Sequence, residues 1–459
     1  MSVRPDSDTP FRILVLGDFG ATAASARPVF IDRDNFDQVM GRLNVGLELP
    51  GAGALRFKEL DDFHPDHLFE SLELFHGLRE LRARVEDPET FRKTASELME
   101  PAQESGRRGE PKPEVPIDFL SSGSLLDDVV ESTEGRSGAA AAPARRSDPF
   151  QKYLQAIVAP HIVPRPDPKQ GEMLQQVDAA IAAQMRALLH ERRFQALEAA
   201  WRGLFFLVHH ADTNAQLKIH LLNLPKKALA QDLLPATDLK KTATYRVLVQ
   251  ETVATPGAQT WALVAGNYTF GASNQDVELL GRIALLAASG RSPVIARAGE
   301  DLLGDGDELA AWSELTAIPE AGYIGLALPG FLLRLPYGKA TSVTESFPLE
   351  ESTGEPKHQE YLWGNPAFAC ACLIAEGFSE SGWDMQPGDA LDMSGLPAHV
   401  YKKDGEAVMK PCAEVLMTVG EAEALMERGL IPLCSMKDSD RVHVAGFRSI
   451  TGKALAGRW

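Results

Sequence analysis

The tripeptide Asp18-Phe19-Gly20 matches the triplet whose aspartate binds Mg²⁺ in protein kinases. A kinase also needs a preceding glycine-rich loop, a lysine on the third strand and an HRD-type catalytic loop, and the sequence contains none of these. It also has no GxxxxGK[ST] loop, and no GxGxxG follows a strand. We therefore interpret the triplet as a turn after a strand, and nucleotide binding has no support.

Two other patterns could serve acid–base or anion chemistry. Residues 266–271 are bounded by glycines between a predicted strand and a predicted helix, so their N–H groups could bind an oxyanion at the helix amino end. A tight connecting turn is the commoner use of such a segment and is favoured here. The carboxylate pairs at 61–62 and 350–351 are interpreted as solvated loop or cap residues, because adjacency does not establish a spacing across a substrate.

The cysteines give little support for a metal site. Cys370, Cys372, Cys412 and Cys434 are too sparse for a disulfide framework in a chain of 459 residues. The Cys-x-Cys pair lies in an apolar segment, where small buried thiols are common, whereas zinc normally takes four ligands. With no GxSxG or HExxH motif either, we expect no catalytic, cofactor-binding or metal site and therefore no enzyme.

The composition is that of a globular protein, with 44% hydrophobic and 24% charged residues. The formal net charge of −18 argues against broad binding to a nucleic-acid backbone, since such proteins usually carry a clustered basic face. The first ten residues lack the pattern of a secretory signal, and no run approaches the length of a membrane span. We expect a cytoplasmic protein with reduced thiols and two or three folded units.

The first unit, residues 1–100, is predicted to be a small α+β domain. The apolar run 12–16 predicts a strand that ends at Gly17, and a short strand is expected at 55–57. A polar side chain within 32–35 can cap a first helix. Two helical stripes are predicted, one through Phe36, Val39, Met40 and Leu43, and one that begins at Pro65 and runs through Leu68, Leu72, Phe75, Leu78 and Leu81.

Residues 101–148 are rich in Pro, Gly, Ser and charge, and we predict a disordered linker there. A larger mixed α/β domain is predicted at 149–410, followed by a small α+β subdomain at 411–459. The larger domain has one helix or a helix pair with an apolar stripe from Val177 to Leu204, a half-buried strand at 217–222, and a strand–helix–strand unit that begins at 261. Ser273 is expected to cap the helix of that unit.

The first part of the chain resembles the small subunit of the type VI secretion contractile sheath. The similarity rests on the strand end LGDF at 16–19, on IDRDNFDQVM at 31–40, and on Phe57 through FHPD at 63–66. From about Asp178 the chain resembles the large sheath subunit, through FQALEAAWRGL at 194–204, LKI at 217–219, DVELL at 276–280, LPGFLLRLPYG at 328–338 and YLWGN at 361–365.

Thirteen residues in these motifs are candidates for fold or assembly roles: Asp32, Asn35, Phe36, Trp201, Arg202, Gly203, Arg334, Pro336, Tyr337, Gly338, Trp363, Gly364 and Asn365. Aromatic and arginine residues stabilise folds as often as they mark interfaces. The motif 334–338 is expected at a turn near an interface, and substitution of Arg334 and Tyr337 by alanine without effect on folding or assembly would contradict this hypothesis.

The resemblance implies a structural protein of a phage-tail-like machine, in which a helical sheath surrounds a stacked tube and contracts to propel it. The implied partners are other sheath subunits or further copies of this chain, the inner tube protein, baseplate components and an unfoldase ATPase that recycles the sheath. Contraction needs interfaces with two stable packings and no local chemistry.

Two features distinguish this chain from the usual family pattern. The two parts are normally separate chains, and the large subunit usually continues past 447–450 into a tail that joins neighbours by strand exchange, whereas this sequence stops at Trp459. A fused, self-assembling sheath subunit is the first hypothesis. An adaptor or cap that does not polymerise is the second, and filament formation separates the two; an enzyme hidden in the large domain is the third.

Overall fold

The computed structural model describes residues 5–21, 27–50, 53–99, 168–304 and 310–459. The predicted linker at 101–148 lies outside these residues. The chain divides into two compact units, Met1–Phe75 with Ile181–Trp459, and His76–Ala180. The first unit therefore combines residues from both predicted domains. The predicted boundaries at 100, 148 and 410 remain predictions.

The strands are β1 (Phe11–Gly17), β2 (Val29–Ile31), β3 (Val45–Leu49), β4 (Gly53–Phe57), β5 (Leu217–Asn223), β6 (Leu263–Phe270), β7 (Val294–Ala298), β8 (Ile324–Leu328), β9 (Phe331–Arg334), β10 (Leu362–Gly364), β11 (Asp392–Met393), β12 (Val400–Lys403), β13 (Glu406–Met409), β14 (Leu430–Ser435) and β15 (Val442–Val444).

Nine of the strands in the described ranges form one sheet, in the order β11-β15-β14-β8-β7-β6-β1-β5-β2. The six strands from β14 to β5 are parallel, whereas β2, β15 and β11 each pair antiparallel with a neighbour. Parallel strands are buried on both faces, and β1 follows this rule, because six of its seven residues are buried. The mixed α/β prediction is confirmed.

The helices are α1 (Phe36–Leu43), α2 (Pro65–Ser71), α3 (His76–Glu86), α4 (Pro88–Met99), α5 (Pro168–Leu189), α6 (Arg192–His210), α7 (Lys226–Leu233), α8 (Ala243–Tyr245), α9 (Asn274–Gly290), α10 (Ala310–Ala317), α11 (Pro366–Ser381) and α12 (Val419–Glu427).

The predicted strand–helix–strand unit is confirmed as β6, α9 and β7. Ser273 Oγ accepts a hydrogen bond from Asp276 N at 3.2 Å and so caps α9. β6 and β7 pair in parallel, as a helical crossover requires. Before β5 the sequence predicted either one helix or a pair of helices, and the structure has the pair, α5 and α6.

Three local predictions are wrong. The helical stripe from Pro65 does not form one helix, because α2 ends at Ser71 and a 3-10 turn separates it from α3. Asn35 stands before α1 but makes no capping bond to it. Residues 266–270 are not a loop, since β6 continues to Phe270. Gly266 and Asn267 pair with β1, and Thr269 and Phe270 pair with β7, so parallel pairing extends the strand through residues of weak strand propensity.

The second unit contains α3, α4 and the first half of α5. Arg82 Nε donates to Asp178 Oδ1 at 2.8 Å, and the buried amide of Gln170 donates to the carbonyl oxygens of Val85 and Glu86 at 2.8 and 3.0 Å. These bonds fasten α5 to the end of α3 within this unit.

Candidate functional site

Open parallel sheets usually bind ligands outside the carboxyl ends of the strands, where successive strands diverge to either side. In this sheet that place is the carboxyl end of β1, between β5 and β6. Three aromatic side chains occupy it: Phe19 and Trp201 are 0% exposed, and Tyr268 is 5% exposed. The place at which an α/β enzyme would hold its ligand is filled by core residues.

Hydrogen bonds fix the turn that follows β1. Phe19 N donates to Asn223 Oδ1 at 2.8 Å, and Trp201 Nε1 donates to Phe19 O at 3.0 Å, so both backbone groups of this buried residue are satisfied by side chains. The exposed Asp18 accepts a bond from Gly20 N at 3.0 Å. The interpretation of Asp18-Phe19-Gly20 as a turn is therefore confirmed.

Asn365, one of the predicted residues, lies next to this filled edge. Its amide nitrogen donates to Tyr268 O at 3.1 Å, and its oxygen accepts from Ala367 N at 3.0 Å, which caps α11. The Tyr268 hydroxyl donates to Leu224 O at 2.6 Å, and burial raises the pKa of this phenol, so it stays a neutral donor. Asn365 and Tyr268 together join α11, β6 and the end of β5.

The anion site considered at 266–271 is also filled from within the chain. Gly271 N donates to Asp276 Oδ2 at 2.8 Å, and Ala272 N donates to Asp301 Oδ2 at 2.7 Å. Lys226 Nζ lies 2.6 Å from Asp276 Oδ1. Two carboxylates of the protein thus take the amino end of α9, the position that an external oxyanion would occupy.

A buried ion network connects α6, β9 and the loop that follows β9. Arg334 donates from Nε to Glu198 Oε1 at 2.7 Å and from Nη2 to Glu198 Oε2 at 3.2 Å. It also donates from Nη1 to Glu351 Oε2 at 2.8 Å and from Nη2 to Glu351 Oε1 at 3.2 Å. Both carboxylate side chains are 0% exposed and that of Arg334 is 8% exposed, so each charge depends on the others for compensation.

Tyr337 and Arg202 complete the network. Arg202 donates from Nε to Glu198 Oε1 at 2.7 Å and from Nη2 to the Tyr337 hydroxyl at 3.1 Å. Tyr337 N donates to Glu351 Oε2 at 2.8 Å, and the Arg334 guanidinium lies over the Tyr337 ring at 4.4 Å. With two arginines and two glutamates the network is electrically neutral.

The charges of the network are held by their neighbours. Burial disfavours the ionised form of Glu351, but Arg334 and the hydrogen bonds to this carboxylate outweigh burial and lower its pKa to about 2. Burial opposes the charge of Arg334 too, and the nearby Glu198 and Glu351 raise its pKa well above the usual value. His190 Nε2 lies 3.3 Å from Glu351 Oε1; the geometry is poor for a hydrogen bond, but this contact also contributes to the lowered pKa of Glu351.

Glu198 and Glu351 were not among the predicted residues. The interpretation of the 350–351 pair as solvated loop or cap residues is wrong for Glu351, because this residue is buried. Glu198 had a detectable signal: it lies four residues after Phe194 and three before Trp201, on the apolar face of α6. A charge on such a face requires a buried partner of opposite charge.

Pro336 and Gly338 shape the loop around Tyr337. The Pro336 carbonyl accepts a hydrogen bond from the Thr341 hydroxyl. A Cβ on Gly338 would lie 2.3 Å from Glu350 Oε2, so only glycine fits there without movement of Glu350. In the motif 334–338, Arg334 and Tyr337 therefore take part in the ion network, whereas Pro336 and Gly338 shape the loop.

The predicted residues of the first part form the turn before α1 and place Phe36 against Trp201. Asp32 Oδ1 accepts from Asn35 N at 3.0 Å and Asn35 Oδ1 accepts from Asp32 N at 3.0 Å, which closes the turn before α1. Phe36, the first residue of α1, packs edge-on against the Trp201 ring at 5.7 Å. The structure thus brings motifs of the two parts of the chain together in one core.

The remaining predicted residues lie at close packing contacts. A Cβ on Gly203 would lie 2.6 Å from two ring carbons of Phe368, so this glycine sets the approach of α6 to α11. A Cβ on Gly364 would lie 2.8 Å from Leu333 Cγ. Trp363 Nε1 donates to His358 O at 3.0 Å, and the two rings stack at 5.3 Å.

An open groove of about 530 Å³ lies between the carboxyl ends of β7 and β8 and helix α12. Its apolar lining includes Leu303, Leu328, Pro329 and Leu425. Val415 and Leu416 also line it and are 52% and 63% exposed, and the neighbouring Val419 is 76% exposed. These side chains are a candidate contact surface, because contiguous exposed apolar patches often mark sites of interaction between proteins.

Few side chains in the described ranges could hold a metal. Glu59, Asp62 and His67 are close enough together to share an ion, but Glu59 and His67 are exposed. Asp62 already accepts hydrogen bonds from the backbone N–H groups of Lys58 and Glu59 and so caps a 3-10 turn, as predicted for the 61–62 pair. We assign no metal site to this group.

The four cysteines are free. Burial raises the pKa of Cys370 and Cys372, so their thiolates are disfavoured. None of the helices in the described ranges combines the length and the apolarity that crossing a bilayer requires.

Two family models match the chain. The model VipB, described as EvpB/VC_A0108, tail sheath N-terminal domain, matches residues 171–307 and 303–451, which is more than half of the chain. The model T6SS_VipA, described as Type VI secretion system, VipA, VC_A0107 or Hcp2, matches residues 3–105.

The chain is also similar to a curated protein, the type VI secretion system sheath protein TssC1 of Pseudomonas aeruginosa (strain PAO1). The two are 33% identical over an alignment of 299 residues, and the alignment covers 60% of this chain and 60% of that protein. The chain therefore spans about 60% of the length of this curated relative.

Proposed function

The chain belongs to the type VI secretion sheath family, and on this basis we propose that it is a structural subunit of a contractile sheath, with the small-subunit and large-subunit parts joined in one polypeptide. The observation that carries the proposal is the presence of both family matches in one chain and in this order. The resemblance of the motifs at 31–40 and 328–338 gave the same family.

The arrangement of the core supports a mechanical role rather than a catalytic one. The ligand position of the parallel sheet is filled by Phe19, Trp201 and Tyr268, and the amino end of α9 is filled by Asp276 and Asp301. The family is a structural one, and we propose that this chain has no enzymatic activity. Its work is the release of free energy when subunits pass from an extended to a tighter packing.

The proposed partners follow from this role. Sheath subunits assemble with other sheath components, and here these are further copies of this chain or separate sheath subunits. The inner tube protein, baseplate components and a recycling unfoldase ATPase are the other proposed partners. We propose that the assembly is cytoplasmic. A helical assembly repeats the same contact surface on every copy. The exposed groove residues Val415 and Leu416, with the neighbouring Val419, offer an apolar surface for such a contact.

We still propose that the motif 334–338 lies beside an interface, but that other residues of the same loop make the contact with the neighbouring subunit. Arg334 and Tyr337 are buried, so their side chains hold the loop, and Val343, which is 58% exposed, is the candidate for outward contact. A Val343→Asp variant that folds and assembles normally would contradict this proposal for the loop.

The decisive experiment is negative-stain electron microscopy of the purified full-length chain, alone and then mixed with tube protein and separate sheath subunits. Hollow tubules with a regular helical repeat are the expected result. Discrete particles under every condition would overturn the proposal in favour of an adaptor or cap. Hydrolytic activity above background in the same preparation would contradict the non-catalytic assignment.

A further inference from the structure

Three basic side chains lie on one face of the large sheet, near the amino ends of β1 and β5. Arg12 of β1 stands opposite Lys218 of β5, and two positions further on Leu14 stands opposite His220. Side chains on a strand recur on the same face every second residue, so the three basic side chains share the face of Leu14. Leu14 itself belongs to the apolar core on that face. The basic groups therefore lie where this core ends.

Aromatic rings hold two of these side chains in place. The Arg12 guanidinium lies over the Trp261 ring at 3.9 Å, and its Nη1 donates to Gln259 O at 2.6 Å. The His220 ring packs edge-on against Trp261 at 5.1 Å and against Phe30 at 5.6 Å between ring centroids. Trp261 is buried, whereas Phe30 is 40% exposed and so presents an apolar surface beside the basic groups.

The charges of this cluster are not compensated by the protein. Within the described ranges, no carboxylate forms an ion pair with Arg12, Lys218 or His220. Burial lowers the pKa of Arg12, and burial with the charges of Arg12 and Lys218 lowers the pKa of His220 to about 4. The enclosed atoms Arg12 Nε and His220 Nδ1 also lack a hydrogen-bond partner among those residues. Polar groups that lose water without gaining a partner cost free energy, which a ligand of negative charge would offset.

Three nitrogen atoms of the cluster are open to such a ligand. Arg12 Nη2, Lys218 Nζ and His220 Nε2 make no hydrogen bond to a described residue and, unlike Arg12 Nε, they are not enclosed. Arginine and lysine donate strong charge-assisted hydrogen bonds to carboxylates, and an imidazole can donate from Nε2. The exposed Phe30 ring favours an anion on an organic group, because a bare inorganic anion would leave this ring in water.

We propose that Arg12, Lys218 and His220 form a binding site for a carboxylate that adjoins an apolar group, with Phe30 as the wall for the apolar part. The formal net charge of the chain is −18, so a basic cluster without acidic partners does not follow from the composition. A small organic acid and an acidic side chain with apolar neighbours in a peptide both offer this chemistry. The proposal does not rest on the sheath function.

The first test compares ligands of similar shape on the full-length chain. Hydrocinnamate has a carboxylate near an aromatic ring, hydrocinnamide has a neutral amide in its place, and acetate lacks the ring. Saturation-transfer difference NMR measures their affinities and suits a large particle. We expect hydrocinnamate to bind about tenfold more tightly than either of the others. Equal affinities for hydrocinnamate and hydrocinnamide would overturn the proposal, and equal affinities for hydrocinnamate and acetate would overturn the role of Phe30.

The second test removes the two cations. We expect Arg12→Gln/Lys218→Gln to weaken hydrocinnamate binding at least about tenfold, because two charge-assisted hydrogen bonds are lost. Lys437→Gln/Arg441→Gln is the matched control: it changes the net charge equally at two exposed residues that flank the turn between β14 and β15, several strands away in the sheet. If the two double variants bind hydrocinnamate alike, the attraction comes from the overall charge and the site is wrongly assigned.

Lys218→Gln alone replaces the double variant if the latter does not fold. Lys218 has no ion pair to lose within the part of the chain that the structure describes, so the urea midpoint should stay close to wild type. The affinity for hydrocinnamate should still fall about tenfold. A lowered urea midpoint together with unchanged affinity would show that Lys218 serves the fold, and would overturn its assignment to the site.

The pH dependence of binding reports on His220. A carboxylate beside His220 offsets the charges of Arg12 and Lys218, so the bound state holds a proton on this imidazole more tightly than the free state. The affinity should therefore rise as the pH falls from about 7 to about 5.5, where hydrocinnamate is still mostly ionised. The other groups that face the imidazole are aromatic, and Asp32, which follows β2, accepts a hydrogen bond from Asp34 N instead. His220→Gln should give a flat profile, and the same profile in both proteins would overturn the role of His220.

The last arm distinguishes the two sources of the carboxylate. The probe is a capped peptide of the sequence LLDDVV, which occurs at 125–130 of this chain, and its control has asparagine in place of both aspartates. Displacement of hydrocinnamate by the acidic peptide but not by its control would assign the site to an acidic peptide segment. Binding of hydrocinnamate that neither peptide displaces would assign it to a small organic acid. If neither hydrocinnamate nor the acidic peptide binds, the proposal is overturned.

Discussion

Arg334 makes a bidentate contact with Glu198, from Nε to Oε1 at 2.7 Å and from Nη2 to Oε2 at 3.2 Å. The two residues are 136 positions apart in the sequence. The same guanidinium binds Glu351. One side chain thus joins a helix, the end of a strand and the far end of the following loop. The arrangement explains why an arginine is required, since a lysine has no planar fork that reaches two carboxylates.

Replacement of Arg334 by methionine is expected to lower the free energy of unfolding by about 3–5 kcal/mol, because two buried carboxylates would lose their compensating charge. Urea denaturation followed by circular dichroism measures the effect. Arg202→Met is the control: Arg334 still compensates the charge of Glu198 in that variant, and the Arg202 side chain is itself 20% exposed, so we expect less than half the loss. A loss for Arg334→Met no larger than for Arg202→Met would contradict the role assigned to the network.

The stability of the protein is expected to depend on the ionisation of Glu351. The pKa of this carboxylate is lowered from the ordinary 4.5 to about 2 in the folded chain, through Arg334 and its hydrogen bonds. The folded state therefore binds this proton more weakly than the unfolded state, so the stabilisation is complete above pH 4.5 and is lost as the pH falls towards 2.

The measurement is the free energy of unfolding in urea from pH 7 downwards for the wild-type chain and for Glu351→Gln. The variant removes the titrating group, so the advantage of the wild type should be largest above pH 4.5 and shrink below it. A difference that stays constant with pH would show that the charge of Glu351, which faces Arg334 and lies near His190 and Tyr337, contributes nothing.

Local patterns in the sequence predicted much of the fold, and long-range pairing limited the rest. The strand at 12–16 and the helix opened by Ser273 follow from neighbours a few residues away. The position of β1 between β5 and β6 depends on partners some 200 residues distant, which periodicity along the chain does not encode. The strand at 266–270 was missed for the same reason, because pairing of Gly266 and Asn267 with the remote strand β1 outweighs their weak strand propensity.

The predicted motif residues were mostly brought together, but their chemistry was incomplete. Trp201 and Phe36 meet in one core, and Arg334, Tyr337 and Arg202 meet in one network. Only contacts across the fold could show that Glu351 belongs to that network, since its sequence surroundings are those of a polar loop.

Gly203→Ala is expected to destabilise the protein by about 1–3 kcal/mol through overpacking against Phe368, although alanine is the better helix former. The thermal unfolding midpoint measures this. Gly171→Ala in α5 is the matched control: no described atom lies within 4 Å of its Cβ position, so it should gain up to about 1 kcal/mol. Equal effects at the two glycines would contradict the close helix contact.

The thiols should react with an aromatic disulfide reagent in a defined order. Cys434 is half-buried and should react first in the native protein, whereas Cys370, Cys372 and Cys412 are buried and should react only on unfolding. Burial raises the pKa of Cys412 to about 11, which slows it further. A Cys434→Ser variant should lose the first-reacting thiol, and rapid reaction of Cys370 or Cys372 in that variant would show that α11 is accessible.

Assembly is expected to depend on the exposed apolar residues beside the groove. In a Leu416→Asp/Val419→Asp variant the new carboxylates replace side chains that are 63% and 76% exposed, so the circular dichroism spectrum and the urea midpoint should stay close to wild type. If neighbouring copies cover this surface in a sheath, two buried charges per contact would prevent the repeated interface, and tubules should disappear from negative-stain images. Val400→Asp places a charge at a residue of similar exposure on β12, which does not line the groove, and should leave tubules intact. Tubules of normal length from the double variant would mean that the lattice contacts lie elsewhere on the subunit.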